Sequence, residues 1–128
     1  MDIRNGVLLA ISPKEHLLIP RVRALGAGVL RGSRVKSVVI PGGVEEIRER
    51  AFENCAYLES VELPSSLRRI GDAAFLNTGI RKIELPRGVE LGDSVFGPPL
   101  AMVVSDVRIP LSKLPDNTIV VPPAFVGV

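Results

Sequence analysis

Between Val38 and Pro86 the apolar and polar positions spell the same pattern twice, once over Pro41 to Leu63 and again over Pro64 to Leu85. Each copy reads P-x-x-(V/L)-x-x-I-x-x-x-A-F-x-N-(C/T), followed after a short gap by apolar-x-x-apolar-x-L and the next proline. Self-similarity at this period predicts a solenoid, in which a unit buries its apolar face only against its neighbours. In Leu58-Glu-Ser-Val61-Glu-Leu63 and its copy Ile80-Arg-Lys-Ile83-Glu-Leu85, the apolar letters point inward along a strand and the letters between them point outward. A single-segment reading of residues 43 to 61 favours a long amphipathic helix. The second copy rules it out, because the same slots hold Gly71, Asn77, Thr78 and Gly79. Helix is therefore expected for no more than a turn around Arg48 to Asn54 and Asp72 to Asn77.

Prolines at positions 20, 41, 64, 86 and 110 mark strand ends at intervals of 21, 23, 22 and 24 residues. The unit after Pro20 is worn, with Val29-Leu30 in place of Ala-Phe; the unit after Pro86 keeps Val89, Leu91 and Val95-Phe96 before diverging at Gly97-Pro98-Pro99. Residues 2 to 20 read as strand, Asn5-Gly6 turn, strand, a polar turn over Ser12 to Glu15, and strand. Asn-Gly suits a two-residue hairpin turn with positive φ at both positions. The whole is expected to form one domain over 1–128: an N-terminal hairpin cap at 1–20, about four repeats of 21–24 residues over 21–109, and a C-terminal strand cap at 110–128.

These units resemble the BspA-like class of leucine-rich repeats. Ile40-Pro41, Val44, Ile47, Ala51-Phe52, Cys55, Leu58, Val61 and Leu63-Pro64 carry the likeness, as do Leu67, Ile70-Gly71, Ala74-Phe75, Ile80, Ile83 and Leu85-Pro86. Arg48 replaces the family's usual Gly and Thr78 its usual Cys, and the coil at Val89 to Gly92 is shortened. The resemblance implies a mainly β solenoid of parallel strands with short helical turns, and a part in protein–protein contact or adhesion, often at bacterial surfaces.

Aligned columns assign most positions. Phe52, Phe75 and Phe96 share a core column. Cys55 falls with Ser33 and Thr78 in a column of small residues, which makes it a buried filler rather than a nucleophile. Asn54 and Asn77 align, as expected of buried amides that bond loop backbone groups. His16 has no carboxylate or serine placed by a motif. Charges alternate down Arg23, Glu45, Arg68, Glu90 and down Lys36, Glu59, Arg81, Ser105, which favours one register between strands about 4.8 Å apart. The column Val39, Glu62, Glu84, Arg108 departs from this rule, with two carboxylates on successive strands beside Arg81 and Lys82. The candidate partner-binding surface is therefore the outward side of the leucine-rich strands: Lys36, Glu59, Glu62, Arg81, Lys82, Glu84 and Arg108.

Composition narrows the function. At 128 residues and 46% hydrophobic the chain supports one core, which is mostly aliphatic because aromatics make up 4%. Sixteen Lys and Arg against 14 Asp and Glu leave +2, mixed along the chain and without an aromatic stacking platform, which argues against nucleic acid. One Cys and one His supply neither a disulfide framework nor a four-ligand zinc site. No nucleophile–base pair, paired acids or phosphate-binding glycine loop is present, so neither enzyme activity nor a cofactor is expected. No apolar run reaches the roughly 18 to 20 residues of a membrane span. The start, MDIRNGVLLAIS, lacks a basic region leading into a sustained apolar segment and reads as cytoplasmic. A secreted or surface protein trimmed of its signal reads the same. The chain is expected to act as a non-enzymatic interaction or adhesion module for a protein partner. The alternative is a structural protein that forms homo-oligomers through its apolar end, TIVVPPAFVGV.

Overall fold

A computed structural model describes residues 1–105 and 109–123. In chain order its strands are β1 (Asp2–Arg4), β2 (Val7–Ala10), β3 (His16–Leu18), β4 (Ala24–Leu25), β5 (Ser37–Val39), β6 (Glu46–Ile47), β7 (Ser60–Glu62), β8 (Arg69–Ile70), β9 (Lys82–Glu84), β10 (Glu90–Leu91), β11 (Met102–Val104) and β12 (Ile119–Val121). Each coil of the solenoid contributes one strand to each of two walls. The first wall is a six-stranded sheet ordered β1-β2-β4-β6-β8-β10, parallel except for the β1–β2 hairpin. The second consists of two three-stranded parallel sheets, β3-β5-β7 and β9-β11-β12.

Side-chain size explains why the coils stack. Phe52, Phe75 and Phe96 are buried one above the next, with ring centroids 5.1 and 5.8 Å apart and planes within 9°. That spacing follows the coil repeat, so each ring covers the face of its neighbour. Cys55 is fully buried; its thiol donates to Leu30 O at 3.0 Å and lies 3.4 Å from Ser33 Oγ. Burial pushes that thiol up, and its contacts with Ser33 offset part of the shift, so the group stays a protonated filler. Gly71 lies so close to the preceding coil that a Cβ would stand 2.6 Å from Glu49 N. Arg48 takes the glycine's place in that column, and its Nε donates to Glu46 Oε1 at 2.8 Å.

The stretches 48–54 and 72–77 form hydrogen-bonded turns without helix: Ala51 N–H donates to Arg48 O, and Cys55 N–H to Phe52 O. Left-handed residues interrupt each turn, Arg50 and Asn54 at φ 60 and 62°, Ala73 and Asn77 at 56 and 59°. A helix cannot propagate through such residues. Asn54 and Asn77 differ from expectation in a second way. They are exposed, and Asn77 Nδ2 donates to Asn54 Oδ1 at 2.9 Å, so the pair links the turns of successive coils. Their type is selected because asparagine tolerates positive φ. In the N-terminal hairpin Asn5 and Gly6 take φ 52 and 76°, as the turn chemistry requires.

Register corrects three of the expected columns. Glu90 faces Arg69 rather than Arg68 and pairs with it at 3.3 Å, because the segment from Pro86 to Leu91 is one residue shorter than that from Pro64 to Ile70. Opposite charges still alternate there, since Arg69 also faces Glu46. On the second wall β9 pairs with Met102–Val104, so Ala101 follows Arg81 in place of Ser105, and Val104 follows Glu84 in place of Arg108. The Gly97-Pro98-Pro99 loop brings the chain to its strand early: three residues separate Phe96 from Leu100, against four between Phe75 and Ile80. Arg108 itself lies outside the described residues. Pro110 therefore does not end a strand; it precedes a 3-10 turn at Leu111–Lys113, and β12 closes the stack.

Candidate functional site

A repeating set of backbone bonds joins the strands of the second wall. On the exit side Ile19 N–H donates to Val39 O, Ile40 to Glu62 O, Leu85 to Val104 O and Ser105 to Val121 O, all at 2.9–3.0 Å. On the entry side Lys36 donates to Glu15 O, Glu59 to Lys36 O, Ala101 to Arg81 O and Ile119 to Ala101 O, all at 2.8–2.9 Å. Each series lacks the same member. Among the described residues no bond joins Leu63 N–H to Glu84 O or Arg81 N–H to Glu59 O, and no ladder pairs β7 with β9. On the opposite wall β6, β8 and β10 remain paired through the same coils. The lapse is thus confined to one face.

Two local features meet at the lapse. Glu62 and Glu84 occupy equivalent positions on the strands that part, where like charges repel by about 1 kcal/mol in a water-like dielectric. Loop lengths also change: five residues separate Phe52 from Leu58, and four separate Phe75 from Ile80. Gly79, at the shorter loop, packs tightly on the preceding coil, where a Cβ would sit 3.1 Å from both Ala56 O and Leu58 O. Beyond that contact the strands diverge.

The result is a cleft of about 410 Å³ lined by Val61, Glu62, Leu63, Ser65, Glu84, Leu85 and Pro86. Val61 and Leu63 are half-buried, whereas their counterparts Val38, Ile40, Ile83 and Leu85 are buried. The cleft therefore presents an apolar floor, two exposed carboxylates and the backbone groups released by the missing ladder. Backbone donors and acceptors seek partners, so these are open to solvent or to a bound chain.

The remaining expected residues are spread around this feature. Lys82 is exposed at the start of β9; Glu59 and Arg81 flank the entry side of the lapse. Neither Arg81 nor Lys82 makes an ion pair with Glu62 or Glu84 among the described residues. Lys36 is engaged elsewhere, 2.9 Å from Glu15 Oε1; that contact raises the lysine and lowers the glutamate relative to their ordinary values. Reading the sequence by columns missed Glu53, a buried carboxylate held by Arg31 at 2.8 Å and Arg50 at 3.8 Å. It also missed Tyr57, which is 56% exposed. The extra residue between Phe52 and Leu58 was the available signal for Tyr57.

Comparison with known proteins agrees with this architecture. The family model for the BspA type leucine rich repeat region matches residues 20–99, in six copies. The chain belongs to the BspA type leucine-rich repeat family. Among solved structures, this repeat protein is similar to the pneumococcal vaccine antigen PcpA, with a TM-score of 0.75 and 26% identity over 86% of its own length and 31% of the antigen's. It thus spans about a third of that antigen. A leucine-rich repeat protein from Bacteroides capillosus aligns with a TM-score of 0.67 and 20% identity over 91% of this chain and 85% of the other. One from T. pallidum aligns with a TM-score of 0.51 and 18% identity over 88% and 76%. No curated protein matches the repeat protein by sequence. Among its described residues no helix is long and apolar enough to cross a membrane.

Proposed function

We propose that this repeat protein is a non-enzymatic protein-interaction module whose working surface is the outward side of the leucine-rich strands, centred on the Glu62–Glu84 cleft. The observation that carries this reading is the interrupted ladder. A regular solenoid wall saturates its backbone groups, and here one step leaves donors, acceptors, an apolar floor and two carboxylates facing outward together. A lysine or arginine of a partner fits this combination, its aliphatic stem on Val61 and Leu63 and its charged head between Glu62 and Glu84. Panning a displayed peptide library on the protein is expected to enrich Lys- or Arg-bearing peptides that lose binding to the Glu62→Gln/Glu84→Gln variant. Peptides that bind wild type and double variant equally would remove the cleft from the function.

A second reading, self-association at the C-terminal end, is favoured by β12. It is the last strand of its sheet and carries the exposed Ile119, with exposed Leu111 on the nearby 3-10 turn. Residues 124–128 of the apolar end lie outside the described residues. Light scattering over a hundredfold concentration range tests this reading, and a constant monomer mass refutes it.

A further inference from the structure

We propose that a second cleft, at the entry to the first three strands of this wall, binds an acidic segment of a protein partner, taking a carboxylate side chain with an aromatic or apolar neighbour. The cleft encloses about 460 Å³ and is lined by Pro13, Lys14 and Glu15 ahead of β3, Arg34, Val35 and Lys36 ahead of β5, and Tyr57 ahead of β7. Its occupant is distinct from that of the Glu62–Glu84 cleft. No residue lines both.

Charge is the first argument. Three cations face one carboxylate, an excess of two that equals the formal +2 of the whole chain. Glu15 is already engaged by Lys36 at 2.9 Å, and neither Lys14 nor Arg34 has an ion pair among the described residues. Both are exposed. Arg34 supplies a planar fork suited to a carboxylate, and Lys14 a second donor beside it.

The use of aromatic residues is the second argument. The chain has a single Tyr, and Phe52, Phe75 and Phe96 are all stacked in the core. Among the described residues Tyr57 alone stands outside that stack as an exposed ring, on the loop that is one residue longer than its neighbours. Core packing does not require it there. An amphipathic ring beside arginine is the composition of binding hot spots. Pro13 and Tyr57 offer apolar surface for the residue next to the carboxylate.

The lining also disfavours an uncharged ligand. Neutral sugar hydroxyls are commonly met by amide and carboxylate side chains, yet the cleft contains no Asn or Gln, and its one carboxylate is taken by Lys36. A peptide carboxylate is therefore a better match than a neutral glycan.

The test uses the whole chain and a fluorescein-labelled Gly-Ser-Glu-Phe-Glu-Ser-Gly peptide followed by fluorescence anisotropy. Saturable binding is expected that weakens as salt rises and is lost when Gln replaces both Glu of the peptide. Arg34→Glu is expected to weaken it by at least about tenfold and Tyr57→Ala by about fivefold. Arg21→Glu, an exposed charge change outside the cleft, is expected to leave it within about twofold. Thermal melts of the variants check that each stays folded. Absence of saturable binding overturns the proposal, as does an Arg21→Glu effect equal to that of Arg34→Glu. Displacement of the peptide by a galacturonic acid trimer at equal concentration also overturns it, because the site would then read a carbohydrate anion. The Glu62→Gln/Glu84→Gln variant is expected to bind this peptide as wild type does, so the outcomes at the two clefts are independent.

Discussion

Replacing Phe75 by alanine should destabilise the solenoid more than the same change at Phe96. Phe75 is fully buried and stacked on both sides, 5.1 Å from Phe52 and 5.8 Å from Phe96; Phe96 is 5% exposed and, among the described residues, has a stacked ring on one side only. Truncating a buried Phe costs about 3 to 5 kcal/mol. Each aromatic pair contributes about 0.5 to 1.5 kcal/mol beyond area burial. Phe75→Ala breaks two such pairs and Phe96→Ala one, so the first should exceed the second by about 1 kcal/mol. A chain of this length is stable by roughly 6 to 19 kcal/mol on a per-residue scale, so both variants are expected to fold at low temperature unless stability lies near the lower bound. Urea unfolding followed by circular dichroism resolves the comparison. With a slope of about 2 kcal/mol/M, the two midpoints should differ by about 0.5 M. Equal midpoints, or a lower midpoint for Phe96→Ala, would refute the account of coil stacking as a sum of nearest-neighbour ring contacts.

Three further outcomes follow from other parts of the structure. In hydrogen exchange the amides of Leu63 and Arg81 should exchange faster than those of Ile40, Leu85, Glu59 and Ala101; equal protection would mean that the ladder is closed. Cys55 should react with a thiol reagent only as fast as the protein opens. Because burial raises its pKa, the unfolded thiol ionises first as pH climbs past about 9, so stability present at lower pH is lost there. The loss should not exceed about 1.4 kcal/mol per pH unit, and Cys55→Ala should flatten that part of the profile relative to wild type. Gly71→Ala should be among the costlier single-methyl additions, about 1 to 3 kcal/mol, since its Cβ would meet backbone rather than a movable side chain. A melting temperature within a degree of wild type would show that the coils separate readily at that point.

The parts of the fold legible in the sequence are those fixed by what can be buried. Ala51-Phe52 and Ala74-Phe75 recur because a ring column must be filled in every coil, and the inward positions Leu58, Ile80 and Ile83 recur for the same reason; all are buried. The outward columns were less legible, because nothing outside the core penalises a shift of register. A loop shortened at Gly97-Pro98-Pro99 moved β11 to Met102–Val104 and displaced Ser105 and Arg108 from the columns assigned to them. The helix propensity of residues 43–61 was overridden by left-handed turns at Arg50 and Asn54. The pairing of Glu62 with Glu84 marked a step as unusual, but it did not reveal that the ladder lapses there. The opposite wall stays paired through the same coils, with Arg69 in register between Glu46 and Glu90 and ion-paired with Glu90. The strands on one face can part because the other face and the stacked rings keep the coils together. Repeat regularity thus supplies the rigidity, and the departures from it, at Glu62–Glu84 and at Tyr57, are where this chain differs from a generic coil.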